Sequence, residues 1–228
     1  MVPGLILACI VGIVAIVIWQ RYRRLARERF IRSYPLPRGL YDRLRKRRPE
    51  LEVKDCALVA RGLRQFFLAY LQSGRKFVSM PSQAVDDLWH EFILYTKAYD
   101  AFCKQAFGQF LHHTPAVVLG ADKQNNQGLR RVWWYACKEE NIDPAKPLRL
   151  PLLFAIDAKL GIAGGFVYTP DCKALREAGG SGTSHCGADF ADSSVDGGTD
   201  GFGDSDGGGG DGGGDGGGGC GGGCGGGD

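Results

Sequence analysis

Residues 82–108 read SQAVDDLWHEFILYTKAYDAFCKQAFG. Apolar or aromatic side chains recur at Val85, Leu88/Trp89, Phe92, Tyr95/Thr96, Tyr99, Phe102/Cys103 and Ala106. Steps of three and four residues are helical spacing. Ser82 suits the N-cap, and Asp86 and Asp87 sit near the positive end of the helix dipole. Gly108 suits the C-terminal stop. The apolar arc is wide, so the stretch predicts one continuous helix at the centre of an all-α domain.

Working outward, Val53, Cys56, Val59/Ala60, Leu63, Phe66/Phe67 and Tyr70/Leu71 predict an amphipathic helix of about five turns that ends near Ser73-Gly74. Leu129, Val132/Trp133 and Ala136/Cys137 predict a third helix ending before Asn141-Ile142-Asp143-Pro144. Leu152 to Leu160 predicts a shorter fourth. No alternating run announces a sheet, and internal repeats are absent. The expected architecture is an N-terminal transmembrane helix, then a small helical-bundle domain, then a disordered glycine-rich tail. Its boundaries are an anchor over residues 1–20, a basic juxtamembrane helix over 21–33, the domain over 34–178 and the tail over 179–228.

Charge follows the same partition. The 228 residues carry a net charge of +3 and include 36 glycines. From Gln20 to Met80 there are 17 Lys+Arg against 5 Asp+Glu. From Pro81 to Ala178 the two balance at 11 each, and from Gly179 onward there are 9 aspartates and no cation. One modest core is all that such a chain can build. A large multidomain enzyme and a disulfide-stapled miniprotein are both excluded.

Pro3 to Trp19 reads PGLILACIVGIVAIVIW, without a charge. With Met1 and Val2 it spans about 28 Å as a helix, against a hydrocarbon core of about 30 Å. Positive charge follows the run instead of preceding it, at Arg21, Arg23, Arg24, Arg27, Arg29 and Arg32. This order predicts an uncleaved signal-anchor in the inner membrane, with the C-terminal domain in the cytoplasm. The eight cysteines are scattered, as suits thiols kept reduced.

The six arginines would face the membrane surface, where contact with anionic lipid headgroups is one expectation. A second basic cluster, Arg43, Arg45, Lys46, Arg47 and Arg48, reads as a solvated face. It lacks aromatic interleaving and any nucleic-acid-binding motif, so nucleic acid is not an expected partner. The tail cannot bury enough surface to offset its ordering entropy. Its His185-Cys186 and Cys220/Cys224 offer soft ligands for weak zinc or copper binding, and its Cys-punctuated glycine runs also look like substrates of azole-forming peptide modification.

Chemistry concentrates between Asp86 and Thr114. The string D-x-x-W-H-x-F-I-L-x-T-x-x-Y-x-x-F-C, the pair Phe107-Gly108 and then His112-His113-x-Pro115 resemble the bacterial form of the glycine-rich domain-containing protein family. Met80-Pro81-Ser82 and Gly62-Leu63-Arg64 fit the same pattern, and the resemblance extends over Leu36 to Cys172. It implies no catalytic role. Plant members of that family carry a second histidine two residues after the first; Phe92 stands there in this chain.

The candidate polar site comprises Asp86, Asp87, His90, Cys103, His112 and His113. Along one continuous helix His90 and Cys103 lie about 20 Å apart, too far to share an ion. His112 and His113 could fold back to Cys103, whereas reaching His90 needs a nearly extended return. No C-x-x-C zinc spacing and no nucleophile or phosphate-loop motif occurs. The primary expectation is therefore an interaction or scaffold module, anchored in the bilayer, with an unidentified protein partner and no cofactor. A metal-binding protein or metal-dependent enzyme is the alternative. It would hold zinc or iron through His90, His112 and His113, or through Cys103, His112 and His113, with Asp87 in support.

Overall fold

The computed structural model describes residues 2–113, 127–170, 185–187 and 190. Among the described residues seven helices follow one another: α1 (Val2–Ser33), α2 (Leu40–Arg47), α3 (Val53–Gln72), α4 (Gln83–Ile93), α5 (Thr96–Ala106), α6 (Gln127–Glu139) and α7 (Leu152–Leu160). Two-residue strands β1 (Tyr168–Thr169) and β2 (His185–Cys186) pair in parallel. The protein is mostly helical, as the periodicity predicted.

α3 is the axis of the bundle. Its start is fixed by a capping box, in which the Glu52 N–H donates to the Asp55 carboxylate at 2.9 Å. Twelve of its 20 residues are buried, including every position from Gln65 to Leu71. Helices α1, α2, α4, α6 and α7 all pack on it. Gly62 allows α4 to come close, because a Cβ there would stand 2.9 Å from the Val85 side chain.

The continuous helix expected over residues 82–108 is instead two helices. Ser82 does cap the first, accepting from the Val85 N–H at 3.2 Å. The chain then leaves helical geometry at Tyr95, whose φ and ψ are −80° and 58°. Packing explains the break. Phe67 of α3 meets Trp89 of α4 at 6.1 Å between ring centroids, Phe102 of α5 at 5.0 Å and Phe107 at 5.9 Å. A straight helix would carry the later rings past Phe67, so the bend gathers both apolar sets onto one ring.

α1 is a single helix of 32 residues. From Ile6 to Leu25 its large apolar side chains are exposed, whereas Ile31 is fully buried in the core. It is the one helix among the described residues that is long and apolar enough to cross a membrane. The folded module also passes the expected boundary at Ala178. β2 pairs with β1, and Phe190 packs on Trp133, Phe154 and Tyr168 at 5.8–6.0 Å. A large aromatic ring set in glycine-rich sequence supplies the burial that composition alone denied to this segment. The remainder of the expected tail, Cys220 and Cys224 included, lies outside the described residues.

Candidate metal centre

Asp86 and His90 stand one turn apart on α4, and so on the same helix face. The chain brings a third group to them through the break after Ile93. α5 turns away, and Gly108, at φ +78°, reverses the backbone. A left-handed turn of this kind suits glycine. Residues 109–113 then run back toward α4.

That return is pinned by hydrogen bonds. The Gln109 amide donates to the Tyr70 hydroxyl at 2.8 Å. The Tyr99 hydroxyl donates to the Leu111 carbonyl at 2.6 Å and accepts from the Trp89 indole N–H at 3.1 Å. Burial pushes the Tyr99 pKa well above the usual phenol value, so this hydroxyl stays protonated as a donor. Trp89 also meets the His113 ring edge-on at 4.6 Å.

His113 therefore lands over His90, with ring centroids 4.1 Å apart. Its Nε2 is 2.8 Å from Asp86 Oδ1, and His90 Nδ1 is 3.3 Å from Asp86 Oδ2. One ligand atom from each of Asp86, His90 and His113 lies within 4.8 Å of the others. His90 Nδ1 is buried and makes no hydrogen bond, its 3.3 Å approach to Asp86 lacking the geometry for one. A buried ring nitrogen without a hydrogen bond is costly unless a nearby charge or a ligand binds it.

The 3.3 Å spacing suits an ion, whereas the 2.8 Å one is a hydrogen bond that an ion would have to replace. Ligands about 2.0–2.1 Å from a tetrahedral metal stand about 3.3 Å from one another. Two imidazoles and one carboxylate are borderline ligands that match zinc, and the same set forms the facial triad of non-haem iron. Three protein ligands leave further positions for water or substrate.

The remaining candidates lie elsewhere. Cys103 is fully buried between α5 and the returning loop, where burial raises its thiol pKa and makes it a poor ligand and nucleophile. His112 packs its ring on Phe110 at 4.8 Å and lines a separate cavity with Tyr70 and Arg75. Asp87, 5% exposed, is taken up by Arg48 at 2.8 Å and Arg47 at 3.5 Å. Along one continuous helix the return to His90 lies near the limit of the chain's reach. The break at Tyr95 shortens it, and neither proline nor glycine announces that break.

A family model described as UCP032817-like matches residues 26–190. The chain belongs to the UCP032817-like family. This overturns the resemblance to the glycine-rich domain-containing family, which nothing in the comparisons supports. The aromatic positions of the string that suggested it, and Cys103, are buried. Trp89, Phe92, Tyr99, Phe102, Cys103 and Phe107 are all core residues of this chain, so their spacing reports packing. No curated protein and no solved structure matches the chain.

The UCP032817-like module also uses much of the basic charge internally. Arg43 pairs with Glu91 at 2.6 Å, and Arg47 reaches the same carboxylate at 3.7 Å. Of the six arginines expected at a membrane surface, Arg24 pairs with Glu28 and donates to the Gln72 carbonyl, and Arg32 pairs with Glu139. The Arg27 guanidinium lies against Gly108. These side chains tie α1 to the bundle.

Proposed function

We propose that this chain is a single-pass membrane protein whose helical module binds one divalent transition metal, zinc or iron, through Asp86, His90 and His113. The observation that supports the reading is the cluster of three ligand atoms from two separate segments, in which the solvent-shielded His90 Nδ1 makes no hydrogen bond and stands 3.3 Å from Asp86 Oδ2. Asp86 hydrogen-bonds His113 through Oδ1, whereas its Oδ2 approaches His90 Nδ1 without forming a hydrogen bond. The alternative drawn from sequence is thereby sharpened: Asp86 replaces His112 and Cys103 in the ligand set. The length and apolarity of α1 support a bilayer anchor over residues 3–19. The cationic stretch that follows it supports a module facing the cytoplasm.

Metal content of the full chain, purified in detergent without a histidine tag, tests this. The expected result is about one zinc or iron per chain. It should be lost in His90→Ala and in His113→Ala, and kept in His112→Ala and in the paired Cys220→Ser, Cys224→Ser variant. Metal that is absent, or that follows the tail cysteines, would sink the proposal.

A further inference from the structure

A cleft of about 630 Å³ opens between α3, α7 and the segment that joins α6 to α7. Its two carboxylates are each matched. Glu139 accepts from both terminal guanidinium nitrogens of Arg32. Glu140 takes Arg149, and its other oxygen accepts from the Gln65 amide at 3.0 Å and the Leu152 N–H at 2.6 Å.

Three further cations line the same cleft and form no ion pair among the described residues. Arg64 donates to the carbonyls of Ala60 and Tyr34, neutral acceptors that leave its charge uncompensated. Its Nε is buried and has no hydrogen-bond partner. Arg61, one turn back on α3, and Lys159 of α7 form no ion pair among the described residues. Leu58, Leu68 and Leu150 supply an apolar wall.

From these features we infer that the cleft binds a small soluble organic phosphate, a phosphate monoester with an apolar body. A carboxylate monoanion would offset only one of three surplus charges, whereas a monoester dianion offsets two. Arginine forks match phosphate oxygens in pairs. The volume is that of a small-molecule site, far larger than a bare phosphate requires. On the membrane-anchored reading, a lipid phosphate is out of reach. Arg32 lies about 20 Å along α1 from Trp19, and the headgroup layer is about 5–8 Å deep. The inference is otherwise independent of the metal centre.

Phenyl phosphate is a suitable probe, titrated calorimetrically into the full chain reconstituted in phosphatidylcholine vesicles. Expected is saturable binding at one site, at least tenfold weaker in the double variant Arg61→Ala, Lys159→Ala. Affinity should be unchanged in Lys146→Ala, an exposed lysine outside the cleft, and in His113→Ala, which removes the metal centre. Binding lost in His113→Ala but kept in the double variant would assign the phosphate to the metal instead and overturn the inference. Competition by phosphatidic acid included in the vesicles would show that a lipid phosphate reaches the cleft, and would overturn the soluble source. Absence of phenyl phosphate binding in neutral vesicles would overturn the site itself.

Discussion

Tyr99 acts at a distance on the proposed centre. Its hydroxyl joins the Trp89 indole to the Leu111 carbonyl, two residues before His113. In Tyr99→Phe both partners lose that link, at a cost of about 1–3 kcal/mol. The ligand loop loosens without losing a ligand, and supporting contacts of this kind are worth about 10–100-fold in metal affinity. The expected outcome in a competition titration against a chromophoric chelator is a folded variant with weakened zinc binding. Asp157 is a structural counterpart. It is 2% exposed and accepts from the Ser82 hydroxyl, the N–H groups of Gln83 and Ala84, and the Phe166 N–H, at 2.7–3.2 Å. Asp157→Ala strands four donors. Loss of about 3 kcal/mol or more is expected in urea unfolding followed by circular dichroism. Glu140 adds a pH dependence. Burial alone would raise its pKa, but the Leu152 N–H, Arg149 and Gln65 outweigh burial and hold it below the ordinary value of 4.5. Its stabilisation is therefore complete above about pH 4.5 and disappears as pH falls through the folded-state value. Urea unfolding across that acid range should show stability falling with pH, with a shallower fall in Glu140→Gln.

At the scale of elements, α3 and α4 pack closely at Gly62. An added methyl meets Val85 Cγ2 at 2.9 Å. Overpacking of this kind costs about 1–3 kcal/mol. Gly62→Ala should lower the unfolding midpoint, and Val85→Ala in the same chain should recover part of the loss; additive losses would contradict close packing there. Helices were the legible part of the sequence. The three-and-four spacing from Val53 to Leu71 located α3 nearly to the residue, and Ser82 located the start of α4. The break at Tyr95 was not legible, because it arises from the need of Trp89 and Phe102 to share Phe67, a contact between segments far apart in sequence. The candidate site inherited that blindness. Asp86 and His90 one turn apart could be read as a pair, and His113 could be read as polar, but their meeting depends on the hidden bend. Phe190 was missed for the opposite reason, since the glycines around it masked one well-packed ring.

For the whole molecule, the expected organisation is a bilayer anchor, a basic collar and a helical module. A green fluorescent protein fused to the C-terminus should fluoresce and an alkaline phosphatase fused there should stay inactive, since the module faces the cytoplasm in this reading. The reverse pattern would place it on the opposite side. A further consequence lies in the continuity of α1, which runs without a hinge from its exposed apolar stretch to the fully buried Ile31. A helix rises about 1.5 Å and turns about 100° with each residue. In a membrane-anchored chain, the height and heading of the module above the lipid are therefore set by a residue count. One residue inserted between Trp19 and Arg27 would swing the Asp86–His90–His113 face about a quarter-turn around the bilayer normal. Four inserted residues would nearly restore the heading about 6 Å further out. A partner held in the same membrane would meet that face at one heading and lose it at the next, so in such a chain α1 would serve as an indexing shaft.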